Sequence, residues 1–369
     1  MAAATGTLSI DLAAVRSNWL MVRQALGKSP AAVIKADAYG LGAKVLGNTL
    51  YRQGCRDFFF ATLPEAQAAR SYLPHDSNLF ILGGVPYGAE RECINGRLVP
   101  VLSSVQAIER WGAICDEADV VSPSAVKIDT GMTRLGISLE EWVALMERPG
   151  LLQACHPAMF MSHLACADEA DHPMNREQLA RFTGVARAAK ARFPRSRCSL
   201  ANSAGIFLGS DWHFDLARPG ACLYGFDPHW GQQPHMAPVV TLELPILQIR
   251  ELTQSSSVGY GATACLPAGR RLAVAAGGYA DGLNRTIGRE GGYGYLSGQR
   301  VPVVGRISMD TTVFDITGAE LPIRGPAKIQ VLGASLTVAE ISHRTGALGY
   351  EVLTSLAGRY EREYLNRDG

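Results

Sequence analysis

Residues 31–43 read AAVIKADAYGLGA: an apolar run from Ala31 to Ile34 meets Lys35 and then a turn that carries Tyr39, Gly40 and Gly42. Nothing in the run before Lys35 is charged, so the segment predicts a buried strand whose carboxyl end delivers an amine to a loop. A lysine at a strand end is ordinarily a solvated rim residue. Which reading holds depends on whether other strands end in the same way.

Seven further short apolar runs follow: FFFAT 58–62, LFIL 79–82, LVPVL 98–102, AVKID 125–129, MFMSH 159–163, CSLAN 198–202 and FDLAR 214–218. Helix patterns such as PEAQAARSYL, SVQAIERWGAI and REQLARFTGVARAAKARF separate several of them. Strand, helix, strand at this rhythm means parallel pairing. Eight such units within roughly 220 residues predict an α/β fold with a (β/α)8 TIM-like barrel, an open doubly wound sheet being the alternative topology. Upstream, Asp11 after LSI reads as the N-cap of a helix over about 12–26, where Leu12, Val15, Trp19, Leu20 and Val22 recur at helical spacing. From about residue 238 the texture changes to β-branched runs broken by glycine, as in VVTLELPILQIREL and VPVVGRISMDTTVFDIT. A smaller, mostly β domain is expected there. The expected division is a barrel over 1–237 and a β-rich C-terminal domain over 238–369, with the N-terminal strand a candidate member of the second.

Composition narrows the ligand. Of 369 residues 47% are hydrophobic and 19% charged, and the formal net charge is +1. The charges are interspersed, which argues against nucleic acid and an anionic membrane and for a small molecule. The eight cysteines form no CxxC pair and no Cys/His cluster at metal spacing, so no metal is expected and buried free thiols are. The N-terminus lacks a signal-peptide pattern and no apolar segment reaches membrane-spanning length; a cytoplasmic protein is expected.

In such a barrel the active site is built at the carboxyl ends of the strands. Lys35 ends the first run, DTGMTRLG with Arg134 follows the fifth, His163 ends the sixth, Asn202 and Ser203 follow the seventh, and Arg218 with Gly220 follow the eighth. Alone, His163 could equally be a core histidine satisfied by backbone, and Arg134 could pair with a surface carboxylate; the shared placement is what speaks for a site. The loops ANSAG and RPGACLYG offer hydroxyls and the backbone N–H groups of Gly220 and Ala221 to an anion, glycine permitting close approach. A bound phosphate facing a lysine suggests pyridoxal 5'-phosphate, whose aldehyde takes a lysine amine as a Schiff base.

Over essentially the whole chain these segments resemble the bacterial alanine racemases. AVIKADAYGLG, KIDTGMTRLG, SHLACAD, ANSAG, RPGACLYG, VGYGA, GGYADGLNR and RISMD occur in the family's order. The resemblance implies that Lys35 is the Schiff-base lysine and Tyr39 a phosphate ligand, and that L- and D-alanine are interconverted by two bases on opposite faces. Lys35 serves one face and Tyr260 of VGYGA the other, from the second subunit of a homodimer. A phenol ordinarily keeps its proton at neutral pH; His163 and Arg218 resemble residues that link this tyrosine to the pyridine ring, a chain expected to favour the phenolate.

Further roles come from the same resemblance. Arg218 donates to the pyridine nitrogen, and Arg134 contacts the cofactor's phenolic oxygen and the substrate carboxylate. Lys127 matches a lysine carbamylated in some members. Met309 offers its backbone N–H to the substrate carboxylate, and Tyr279 narrows the entrance. The D-alanine formed would supply peptidoglycan, or the enzyme would serve alanine catabolism. The chain departs from the pattern at Ser308, where some members carry cysteine, at Gly358, where some carry a phosphate-binding tyrosine with Tyr360 two residues on, and at MTRLG, in place of the commoner glycine or asparagine before the arginine. Three alternatives stand beside this reading. One is a broader racemase that also takes serine. A non-catalytic pyridoxal phosphate-binding protein would leave the C-terminal hundred residues unexplained, and a barrel decarboxylase should carry a CESGD-like segment that this chain lacks.

Overall fold

The computed structural model describes residues 5–229, 235–288, 291–322, 325–356 and 358–367. They form two compact units, one of Val15–Leu223 with Asp227–Met236, the other of Met1–Ala14, Tyr224–Phe226 and Ala237–Gly369. The chain opens with β1 (Thr7–Asp11), which belongs to the second unit, and passes into a helix Leu12–Leu26. Asp11 caps that helix: its Oδ1 accepts from Ala13 N at 2.8 Å and Ala14 N at 3.3 Å.

The first unit is a parallel sheet of seven strands in sequential order: β2 (Ala32–Val33), β3 (Asp57–Phe60), β4 (Asn78–Ile81), β5 (Leu98–Leu102), β6 (Ser124–Lys127), β7 (Pro157–Met161) and β8 (Arg197–Ser199). Helices follow most of them, as the alternating patterns require. Alternate residues face inward, and Val33, Phe59, Phe80, Val99, Val101, Ala125, Met159 and Met161 fill the interior with Leu216. Phe59 and Phe80 stack there with ring centroids 4.4 Å apart. At the amino ends of β3 and β8, Arg197 pairs bidentately with Asp57 at 2.7 Å.

The eighth run, 214–218, is not a regular strand, yet it occupies the eighth place. Leu216 N donates to Cys198 O (3.3 Å) and Arg218 N to Ala201 O (2.9 Å); from the other side Ala31 N donates to Ala217 O (3.0 Å) and Val33 N to Pro219 O (2.9 Å). The ring of strands is thereby closed. Side chains take over part of the ladder, since Asp215 Oδ2 accepts from Cys198 N (2.7 Å) and Ser199 Oγ donates to Leu216 O (2.5 Å). Positive φ at Phe214 and the missing N–H of Pro219 keep the segment from regular pairing.

The second unit is built on the long β9 (Val240–Glu251). It continues through the hairpin β10 (Ser256–Val258) and β11 (Ala264–Leu266), then β12 (Arg271–Ala276), β13 (Tyr293–Leu296), β14 (Gln299–Pro302), β15 (Thr311–Asp315), β16 (Lys328–Leu332) and β17 (Glu361–Leu365). The main sheet runs β14-β13-β16-β9-β1-β17, with β12 paired to both β9 and β15. The N-terminal strand therefore lies in this sheet, antiparallel to β9 and parallel to β17. Of the cysteines six are buried, Cys166 is half-buried and Cys265 is exposed, so the expectation of buried thiols fails for those two. Among the described residues no helix is long and apolar enough to cross a membrane.

Candidate active site

Lys35 does not end its strand. β2 stops at Val33, and Lys35 begins a single turn of left-handed helix in which Ala36, Asp37, Ala38 and Tyr39 hold φ of 51°, 54°, 54° and 58°. Each such residue with a Cβ costs roughly 1–2 kcal/mol relative to the right-handed form, so the turn stands only because its surroundings impose it. Ala38 N donates to Ile34 O (2.9 Å), Gly40 N to Ala36 O (2.8 Å), and Ala43 N to Asp37 Oδ1 (2.7 Å). Glu65 Oε1 accepts from Ala36 N at 2.9 Å. Burial and the charge of Arg134 lower the Lys35 pKa, against a smaller opposing effect of Glu65. That favours the neutral amine a carbonyl needs.

Lys127 closes β6 and is buried. Burial, then Arg134 and Arg218, bring its pKa down to about 8. The loop that follows is wound around Asp129, whose Oδ1 accepts from Gly131 N (2.8 Å) and Met132 N (2.9 Å) and whose carboxyl is held low by those bonds despite its partial burial. Gly136 is obligatory there, with φ of 131° and a would-be Cβ 2.6 Å from Asp129 N. Arg134 stands exposed on this loop and acts electrostatically on Lys35, Lys127 and His163.

His163 and Arg218 lie side by side, Arg218 Nη2 being 3.5 Å from His163 Nδ1. Arg218 is buried and also donates to the hydroxyl of Ser199, to Ser162 O (2.5 Å) and to Leu200 O (3.4 Å). Burial lowers its pKa to about 9, which leaves it charged at neutral pH. His163 keeps some accessible surface, but desolvation of its ring and the charges of Arg218, Lys127, Arg134 and Lys35 hold its pKa well below 6.5. It is a neutral imidazole, so any cationic help to a phenolate comes from Arg218 and not from His163.

A cluster of hydroxyl and backbone N–H groups lies between the last two loops. Gly220 N and Cys222 N both point at Ser203 Oγ, at 3.0 and 3.3 Å, and Asn202 Oδ1 accepts from Gly205 N at 2.9 Å. A Cβ on Gly220 would stand 2.7 Å from Tyr39 Oη and 3.1 Å from Val33 Cβ. Only glycine lets Tyr39 and this backbone come together. Ala221 is buried beside them. An aldehyde-bearing phosphate fits this donor set: an amine whose pKa is lowered by burial and Arg134, a hydroxyl and backbone N–H cluster, and a buried guanidinium.

The second unit carries its own group. Tyr260 starts a short 3-10 turn after β10 and is 70% exposed. Tyr279 and Met309 are 40% and 53% exposed. They are locked to each other through backbone, Tyr279 N donating to Ser308 O and Ala280 N to Met309 O, both at 3.0 Å. Gly278 permits this approach, since a Cβ there would lie 2.3 Å from the Ser308 and Met309 carbonyl oxygens. Buried Asp281 accepts from Gly278 N (2.9 Å) and pairs with Arg359 (2.7 Å). Tyr360 is buried within this unit and its hydroxyl has no partner among the described residues.

Two family profiles tile the sequence, "Alanine racemase, N-terminal domain" over residues 10–228 and "Alanine racemase, C-terminal domain" over residues 239–364. The chain belongs to the alanine racemase family. It is 47% identical over 364 residues to an alanine racemase of Rhodospirillum rubrum, covering 98% of this chain and 96% of that one. The crystal structure of an alanine racemase of Bartonella henselae with covalently bound pyridoxal phosphate superposes with a TM-score of 0.92 at 35% identity, covering 98% of this chain and all of that one. The alanine racemase of Streptomyces coelicolor gives 0.89 at 31% identity, covering 98% of each.

Within this racemase-family barrel, Lys35, Tyr39, Lys127, Arg134, His163, Asn202, Ser203, Arg218, Gly220 and Ala221 all lie in the first unit, whereas Tyr260, Tyr279 and Met309 lie in the second. Two residues that support the site escaped the sequence reading. Gln178, on the helix Pro173–Arg192, is fully buried; it donates to Thr130 Oγ1 (3.2 Å) and His163 O (2.9 Å) and accepts from Ala165 N (2.8 Å). Glu65 is the second. Its T-x-x-E context, TLPE at 62–65, was open to reading as a helix start; nothing marks Gln178 within its amphipathic helix.

Proposed function

We propose that this chain interconverts L- and D-alanine with pyridoxal 5'-phosphate held at the barrel mouth, as a cytoplasmic homodimer in which each mouth is completed by the second unit of the other chain. The observation that carries this reading is the pairing of a full-length family match with a mouth in which Lys35, the Ser203–Gly220 cradle and buried Arg218 stand together. When bound, the cofactor draws electron density from the α-carbon of an amino acid and so acidifies its C–H bond.

The chain's own residues supply the rest. Tyr39, Asn202, Ser203 and the N–H groups of Gly220 and Ala221 would hold the phosphate, and Lys35 the aldehyde carbon. Arg218, charged and fixed by Ser199 and Ser162, would offer a hydrogen-bond donor to the ring nitrogen without giving up its proton. Arg134 and the partner's Met309 N–H orient the substrate carboxylate, and the partner's Tyr279 limits the size of what enters. Lys35 Nζ moves a proton at one face of the α-carbon and Tyr260 Oη of the partner subunit at the other. Opposed proton carriers are what inversion requires. Three exposed side chains on one unit, Tyr260, Tyr279 and Met309, support a surface completed by a second copy. Lys127 is a candidate for a carbamate, because its lowered pKa and its neighbours Arg134 and Arg218 favour a neutral amine and then an anion.

The reaction supplies D-alanine for peptidoglycan, or in reverse opens D-alanine to catabolism. The test is incubation of the purified, cofactor-loaded protein with L-alanine in deuterated water. Loss of optical rotation together with loss of the α-proton signal is expected; a normal cofactor absorption band with no exchange would sink the reading. A parallel panel including serine sets the breadth of substrate.

A further inference from the structure

The left-handed turn at residues 36–39 is tied down at both ends. Asp37 holds its exit by accepting from Ala43 N (2.7 Å) through its side chain and from Gly42 N (2.8 Å) through its carbonyl. Glu65, on the helix Leu63–Arg70 after β3, holds its start. One carboxylate oxygen accepts from Ala36 N (2.9 Å); the other accepts from Ala61 N (2.8 Å) and Thr62 N (3.4 Å). A helix cap needs only the last of these bonds. The reach to Ala36, across 29 residues of chain, goes beyond capping and fixes the residue next to Lys35.

Charge points the same way. Lys35 is faced by Arg134 from the loop after β6, by Lys127 at the end of β6, by His163 at the end of β7 and by Glu65, while Asp37 on its own turn is engaged with Ala43 N. Tyr72 faces Glu65 and Asp37, and its own pKa is pushed up to about 12, chiefly by burial. Against these cations, Glu65 is an anion anchored by three backbone N–H groups, one of them on the residue next to Lys35, and it acts electrostatically on the amine.

We propose that Glu65 is a positioning residue for the reaction: its carboxylate clamps the start of the left-handed turn, setting the direction in which Lys35 presents its amine, and places a negative charge against the cations around that amine. This rests on the reading of Lys35 as the cofactor lysine.

The test follows attachment of pyridoxal 5'-phosphate to the full-length apoprotein by absorbance, as a function of pH. The midpoint of the rate profile reports ionisation of Lys35, and the plateau at high pH reports how well the neutral amine is presented. Glu65→Gln should lower the midpoint by about one unit, a roughly tenfold change in the neutral fraction, and lower the plateau about tenfold. Glu65→Asp keeps the charge but is too short to span Ala36 and Ala61, so its plateau should fall while the midpoint stays. If Glu65 only caps its helix, both variants lose thermal stability and keep midpoint and plateau within twofold of wild type, which overturns the proposal. A wild-type measurement guards against variants that do not fold. The amide of Ala36, an exposed residue, should be protected from hydrogen exchange in the wild type and lose that protection in Glu65→Asp; exchange of the wild type at the unprotected rate overturns the clamp. Borohydride reduction of the wild type should leave the cofactor on the peptide containing Lys35, and its absence from that peptide would overturn the assignment of Lys35 itself, and this inference with it.

Discussion

Arg218 Nη2 stands 3.5 Å from Nδ1 of His163, a guanidinium set against an imidazole with other cations close by. The imidazole nitrogen facing it can only accept, so the pair works as donor and acceptor and excludes an imidazolium.

His163 should therefore stay neutral well below pH 6.5, and nitrogen chemical shifts followed against pH read this directly. Removing the guanidinium in Arg218→Leu should raise the His163 pKa, although desolvation, the larger cause, remains. The sign for stability follows. A group whose folded pKa lies below its unfolded value costs nothing above the unfolded pKa and favours unfolding as pH falls beneath it. Stability should decline below about pH 6.5, and this component of the decline should shrink in His163→Gln.

Lys127, with its pKa near 8, carries the same sign at higher pH. A drop from 10.5 to about 8 corresponds to roughly 3 kcal/mol that weakens the fold below pH 8 relative to pH 11. Reaction with carbon dioxide would replace that buried cation by an anion between Arg134 and Arg218. With 13C-labelled bicarbonate at pH 8–9 a carbamate carbon resonance should appear and be lost in Lys127→Arg; a wild-type spectrum without it contradicts the assignment.

Gln178 links the loop after β6 to the end of β7 through Thr130, His163 and Ala165. Gln178→Leu fills the space but strands the His163 carbonyl and the Ala165 N–H and leaves the Thr130 hydroxyl with Ser162 alone. A loss of about 2–4 kcal/mol is expected, read as a lower urea midpoint, together with a raised KM because Arg134 rides on the loop that Thr130 anchors. Unchanged stability would show that water or a shifted side chain takes these bonds.

Gly220→Ala places a methyl against Tyr39 Oη and Val33. Tyr39 can swing away at its far end, so the fold should survive with less than about 1.5 kcal/mol lost, while cofactor affinity falls about tenfold, equivalent to 1.4 kcal/mol. Equilibrium titration of the apoprotein with pyridoxal 5'-phosphate measures it.

The barrel was legible where strands bury both faces. FFFAT, LFIL and LVPVL are uninterrupted apolar runs, and each lies on a parallel strand of the first unit. FDLAR was right in place and wrong in kind, because Asp215 and Ser199 do with side chains what a ladder does with backbone. The turn after Lys35 was beyond local reading. Ala36, Ala38 and Tyr39 have Cβ atoms and no local preference for positive φ, and aspartate tolerates it only as a single residue, so the conformation of the turn comes from Glu65, Asp37 and the strand behind them. Motif order marked Lys35, Arg218 and Tyr260. Gln178 and the charge state of His163 depend on which groups the fold gathers, and no spacing along the chain records that.

The most direct test of the central claim, one mouth completed by two chains, is to mix two inactive variants, Lys35→Ala and Tyr260→Phe, under conditions in which subunits exchange. If each mouth takes Lys35 from one chain and Tyr260 from the other, a mixed dimer has one intact site, and random reassortment should restore about a quarter of wild-type racemisation. If both residues act within one chain, the mixture stays as inactive as its components, and that result would contradict the account.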